Sequence, residues 1–417
     1  SIQNAEITVK TILPFILLLI VSLNYAADWP QFRGPERTGV STETGLLTSW
    51  PENGPALLWS TEILGGGWSS AAVVENKIYI TGEHENQETL FAFDLDGNLQ
   101  YRTSYGPTWQ RSFPKARTTP TVDGDRIYVN SGQGNLVCFE RSNGEILWQV
   151  QTVEKFDGDY HRWGIAESPL IIGDKVIATP GGENASVVAL NKMTGETVWV
   201  TEELSEKGNY CSPIHVNRGG TPLIITMLVE HVVGIHADNG DVLWQDAYSE
   251  YQKEPKDINP VTPVYHDGYF YTTSGYDCGG AMYKLSADGT SIERVWVDET
   301  LDNHHGHVVK IGDYIYGSNW INNREGNWVC LDWNTGEVKY ETNWHTKGSI
   351  ITADGYLYCY EEKDGHVALA KPDPSGFHVI SEFQVPLGSG EHWAHPSISD
   401  GRLYIRHGEA LMVYKIN

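Results

Sequence analysis

From about residue 57 onward the chain repeats itself, and this constrains its fold more than any other feature. The clearest copy runs from Thr119 to Ser131, resumes at Asn135-Leu-Val-Cys-Phe-Glu140 and closes on Ser142-Asn-Gly-Glu-Ile-Leu-Trp148. Its grammar is strand, Asp-Gly turn, strand, Gly-rich loop, strand, Asn-Gly turn, strand. Gly supplies the positive φ of a tight hairpin, so Asp-Gly and Asn-Gly between alternating apolar runs mark antiparallel strand pairs. Four such strands recurring every 40 to 50 residues or so is the pattern of a propeller blade.

Seven copies are complete. They open at Ser70, Thr119, Ser168, Ser212, Thr262, His307 and Ser349. An eighth is split between the ends: Pro396–Ile405 and Leu411–Tyr414 supply three strands, and Leu57-Leu-Trp-Ser60 matches the missing fourth. Joining the ends inside one blade closes the ring and removes an open sheet edge. The expected fold is therefore all-β: an eight-bladed propeller of four-stranded antiparallel blades over 57–417. Residues 27–56 are expected as an N-terminal extension.

Composition agrees: 43 Gly, 15 Trp and 22 Tyr stand against only four Met, as tight turns and strands require. The formal net charge of −25 argues against nucleic acid or an anionic membrane surface as the main partner. At the start, Lys10 precedes an apolar run from Ile12 to Leu23, followed by Asn24-Tyr-Ala26. That run is short for a membrane span and reads as a signal peptide over 1–26, with a retained anchor as the alternative. The mature protein is then expected to be periplasmic or extracellular, with no membrane insertion after cleavage. No Cys follows the run to carry a lipid. Cys138, Cys211, Cys278, Cys330 and Cys359 are odd in number and widely spaced, which supports neither a disulfide framework nor a zinc or haem motif. Cys138 and Cys330 occupy equivalent repeat positions and are expected to be buried.

The blade-closing motif Thr/Asn-Gly-Glu/Asp-x-x-Trp recurs at Trp148, Trp199 and Trp244, with weaker forms ending at Tyr101 and Tyr340. It resembles the tryptophan-docking repeat of PQQ-dependent dehydrogenases and of BamB-type outer-membrane assembly factors. The resemblance implies that each such Trp packs between neighbouring blades. The segment Asp28-Trp-Pro-Gln-Phe-Arg-Gly-Pro35 also resembles the start of exported bacterial members of that superfamily.

If the first strand of each blade lines the channel, the segments leading into those strands share one mouth with the loops between second and third strands. Those segments are rich in cations and aromatics. They carry Trp68; Arg111, Lys115 and Arg117; His161, Arg162, Trp163 and Glu167; Tyr210; His304, His305 and His307; Lys347; and His392, Trp393 and His395. Asn319 and Trp320 lie in a loop facing the same way. Arg holds carboxylate or sulfate, Trp stacks on rings, and His handles protons near neutrality. The expected site is an electropositive, aromatic funnel. Trp68, Arg111, Arg117, Arg162, Trp163, Glu167, Asn319, Trp320, Lys347, His392, Trp393 and His395 would bind ligand, and His305, His307, His161 and Tyr210 are the candidates for proton transfer.

Three functions remain open from the sequence. One is a binder of, or lyase-like enzyme for, a small anionic molecule or acidic glycan. Another is a BamB-like scaffold with a protein partner. The third is a PQQ-dependent dehydrogenase, against which stand the missing adjacent-cysteine pair and the absence of a recognisable calcium-ligand set. No cofactor or metal is expected. PQQ remains an alternative, as does a divalent metal held by His305 and His307 with His392 or His395.

Overall fold

A computed structural model describes residues 27–248 and 257–417. The signal-peptide reading concerns 1–26 and lies outside the described residues. Eight four-stranded antiparallel sheets form the eight blades expected. Blades 1 to 7 occupy 72–107, 121–151, 170–200, 214–246, 264–298, 308–342 and 348–384. In the eighth sheet Ala56–Thr61 is the outermost strand, paired antiparallel with Ala410–Lys415, and the ends of the chain meet in one blade. Among the described residues there is one α-helical turn, Thr152–Lys155.

The closing motif has a local mechanical reason. Opposite Trp148, Trp199 and Trp244 on the neighbouring strand stand the small residues Cys138, Ala189 and Gly234, and the register slips by one residue just beyond each pair. This bulge re-aims the indole towards the next blade. There Trp148 Nε1 donates to Lys192 O at 3.0 Å, Trp199 Nε1 to Ala237 O at 3.1 Å, and Trp244 Nε1 to Gly289 O at 3.1 Å. Each ring of the first two covers the turn glycine of the following repeat. A Cβ on Gly195 would come within 2.8 Å of Trp148, and one on Gly240 within 2.6 Å of Trp199. The Trp of one motif thus docks on the Gly of the next, so the two are repeated together. Trp59 plays this part across the ring closure, donating to Leu95 O at 2.8 Å. The Trp296 ring in blade 5 covers Gly336 in the same way, although its own turn departs from the motif and sequence reading missed it.

Apolar clusters fill the spaces between adjacent blades, and all five cysteines are buried within them or beside them. Among the described residues no helix is long and apolar enough to cross a membrane.

The extension has a structure that the sequence did not suggest. Innermost strands turn unpaired backbone groups towards the channel, and buried groups of this kind must find partners. Residues 28–41 supply them. Trp29 exchanges two 2.8 Å backbone hydrogen bonds with Val73 of blade 1, and Val122 N of blade 2 donates to Pro30 O at 2.8 Å. Arg33 donates to Ile350 O at 3.2 Å and to Val308 O, in blades 7 and 6. Arg37 donates to Ser168 O at 3.0 Å, to Pro169 O, and to Pro213 O at 3.1 Å, at blades 3 and 4. Both guanidiniums are almost wholly buried, and desolvation pulls them down to about 9 and about 10, so they stay charged at neutral pH. The segment plugs one end of the channel. It then leaves over blades 7 and 8, where Glu43 accepts from the backbone of Gly401 at 2.8 Å and Trp50 packs on Tyr358 and Phe383.

Candidate functional site

The open mouth lies opposite the plug and is built by the segments leading into the inner strands. An aromatic crescent crosses it. Trp393 is the hub, with ring centroids 5.3 Å from Trp68, 5.3 Å from Phe113 and 5.1 Å from His305. The line continues from His305 to His304 at 4.3 Å, to Tyr276 at 4.6 Å and on to Trp320 at 4.8 Å. Phe113 and Tyr276 were missed by sequence reading. Both sit in loops with positive φ (48° and 58°), a backbone state unusual for aromatic residues.

Arg117 lies over Trp68 at 5.5 Å and donates to the carbonyls of Trp163, Phe113 and Lys115, so its guanidinium ties the blade 2 and blade 3 segments together. Arg162 is exposed above Trp163 at 5.3 Å and is free to meet a ligand. Trp163 packs on Tyr210 at 5.7 Å, and its N–H donates to the Tyr210 hydroxyl oxygen at 3.2 Å. Lys347 is buried and paired with Glu362 at 2.8 Å, while His305 Nε2 lies 3.5 Å from the other oxygen of that carboxylate.

Other expected residues sit elsewhere. His307 and His395 are buried beneath the mouth, in edge contact with Phe32 of the plug at 5.2 and 5.1 Å and with each other at 4.7 Å. His395 Nε2 faces His305 O at 2.8 Å, and His307 Nδ1 faces the same oxygen at 3.0 Å. Glu167 faces inward, accepts from Thr179 N at 3.1 Å and lies in the field of Arg37. His392 turns away, stacked on His407 at 3.6 Å and bonded to the Tyr360 hydroxyl at 2.6 Å. His161 is buried against Tyr210, and Asn319 bonds Thr300 O in the connection entering its blade and Glu341 within it. Arg111 is exposed over Trp109 and Tyr160.

The charge count read from the sequence therefore changes. Burial pushes His161 down to about 4, and His305, His392 and His395 to about 3, with His304 and His307 also well below their ordinary value. These rings are neutral at pH 7. Positive charge at the mouth rests on Arg117 and Arg162, with Arg111 and Lys115 beyond, since Glu362 answers Lys347. The acids shift the other way: burial raises Glu88 to about 7, Glu167 to about 8 and Asp302 to about 6. General-base efficiency is greatest when the pKa lies near the operating pH. An imidazole near 3 and a Tyr210 phenol raised to about 12 are both far from it. The mouth offers neutral donors and acceptors, aromatic faces and fixed guanidinium charge.

A family profile described as outer membrane protein assembly factor BamB matches residues 103–342, more than half of the chain. The chain belongs to this family. Its fold is shared with several solved structures. BamB from Moraxella catarrhalis is 16% identical, with 87% of this chain and 100% of that one covered at a TM-score of 0.62. Quinohemoprotein alcohol dehydrogenase from Comamonas testosteroni is 14% identical, covering 93% of this chain and 80% of that one at 0.65. The computationally designed Ika8 protein, 10% identical, covers 86% and 99% at 0.60. At such identities the likeness is one of fold, and function resides in the site. No curated protein matches the chain.

Proposed function

We propose that this BamB-family propeller is an exported binding protein whose open mouth takes an acidic carbohydrate. The crescent of Trp68, Phe113, Trp393 and His305, with Arg162 and Arg117 beside it, carries this reading. Pyranose rings present apolar faces that stack on aromatic side chains, and a uronate or sulfate group answers a guanidinium through charge-assisted hydrogen bonds. Binding is favoured over catalysis because the histidines are held neutral and far from the range of an efficient base. Titrating the protein with polygalacturonate or sulfated oligosaccharides tests this. Arg162→Ala should weaken binding roughly 10- to 100-fold, the scale of a charge-assisted bond worth about 1.5–3 kcal/mol, with little change in melting temperature. Equal affinity for neutral and acidic sugars, or an unaffected Arg162→Ala protein, would refute it. Arg117→Ala should lower stability as well as affinity, because its guanidinium also holds three backbone carbonyls.

The same geometry argues against a bound quinone. A planar cofactor needs an open slot, and here Phe113 packs against Trp68 and Trp393, which touch each other, while the Arg117 guanidinium lies over Trp68 and is tied to the Trp163 carbonyl. Protein incubated with PQQ and calcium, then desalted, is expected to show no stoichiometric quinone absorbance. A second reading, a protein-docking scaffold, is favoured by the family match over 103–342. In that case Trp393→Ala would release a protein partner while leaving glycan affinity unchanged.

A further inference from the structure

We propose that the outer part of the mouth face holds a transition-metal site formed by His345, His366 and Glu382. Three parts of the chain meet there: the connection from blade 6 to blade 7, the first residue of strand His366–Lys371, and the outermost strand His378–Gln384. His366 is paired with Gln384 and Ala368 with Glu382, so His366 and Glu382 lie diagonally on one face of the sheet. One ligand atom from each of the three residues falls within 4.8 Å of the others, and His345 Nε2 is 3.7 Å from Glu382 Oε2.

Three further observations set this cluster apart from incidental surface groups. His345 has φ +48°, a left-handed backbone that costs energy in a β-carbon-bearing residue and aims its ring back over blade 7. Trp344 Nε1 donates to Glu382 Oε2 at 2.8 Å, and Trp344 is itself wedged against Trp328 and Phe377. An indole braced in this way fixes the carboxylate as an outer-shell partner fixes a metal ligand, and leaves the other carboxylate oxygen available. The third observation is the cleft beside it, about 390 Å³, lined by His345, Arg324, Asn343, Glu361 and Lys363.

Two imidazoles and one carboxylate suit zinc and its borderline neighbours better than calcium or magnesium, which prefer oxygen alone. The His345 and His366 rings are stacked 3.7 Å apart and 6° from parallel. A metal must lie in the plane of each ring that binds it, so one ring turns on loading. His345 is exposed at the cleft and has room to do so. Three protein ligands leave a fourth position open towards the cleft, the arrangement of a zinc centre that accepts water or an anion. The site stands independently of the glycan reading.

Calorimetric titration of the whole protein with Zn²⁺ alone, at pH 7.5 and again at pH 5.5, tests it. One ion per chain should bind at the higher pH and much more weakly at the lower, because imidazole must be unprotonated to ligate. His366→Ala and Glu382→Gln should each weaken binding at least tenfold while melting as the parent does. His236→Ala, on another blade, should leave it unchanged and so controls for the remaining histidines. Equal loss from the control, unaltered affinity in both site variants, or no zinc binding by the parent would each overturn the proposal.

Discussion

Arg37→Ala is expected to lower the unfolding free energy by about 3–5 kcal/mol, the usual cost of removing one partner from a buried charged network. The guanidinium joins Ser168, Pro169 and Pro213, which belong to two blades, to Gln31 of the plug itself. Its loss strands several buried carbonyls, each at about 1–3 kcal/mol, and opens a gap between the inner strands. Arg37→Lys should recover only part of the loss, because one ammonium cannot span the positions that a planar fork reaches. The exposed Arg111→Ala serves as a reference and should stay within about 0.5 kcal/mol of the parent. Urea denaturation midpoints of the four proteins decide the matter. If Arg37→Ala unfolds with the parent, the plug does not brace the ring.

Acid should destabilise the protein well before ordinary carboxylates titrate. His161, His307, His392 and His395 are buried and neutral, with pKa values displaced downward by desolvation. For a base held below its unfolded value of about 6.5, the unfolded chain binds more protons as pH falls. Stability from these groups is present above about pH 6.5 and is lost as pH falls, for His161, His392 and His395 on the way down to about 3 or 4. At pH 5 each contributes a loss of about 2 kcal/mol. Glu88 and Glu167 act in the opposite sense. Their raised values mean that stability lost between about pH 4.5 and 8 returns on acidification, which offsets roughly half of the histidine effect. A net loss of a few kcal/mol is expected between pH 7 and pH 5, read as a falling urea midpoint. His161→Phe should flatten the profile. A midpoint that rises steadily from pH 7 to pH 5 would contradict the neutral-histidine picture.

Both results bear on how the ring tolerates so polar a channel. Blades leave carbonyls pointing inward, and the protein answers with the Arg33 and Arg37 guanidiniums, while Glu167 and the buried imidazoles are held largely neutral. That arrangement leaves the mouth residues above the plug free to face solvent.

The sequence by itself determined the blades. Turn glycines, alternating strands and the Gly–Trp motif are local features with fixed spacing, and the split repeat followed by subtraction. Convergence of Trp68, Arg117, Trp163, His305 and Trp393 on one mouth was also legible, because position within a blade dictates position around the axis. Three things were not. The plug has no periodicity, and nothing local to Arg33 and Arg37 tells that the inward carbonyls of distant blades close around them. The charge of the histidines depends on burial, a property of packing that no residue type carries alone. The aim of each ring depended on its neighbours too: His392 turned to His407, and His307 was capped by Phe32, because the free energy of a side chain depends on contacts made across the ring. Local rules built the blades, and only the closed ring decided which polar groups meet water and which meet one another.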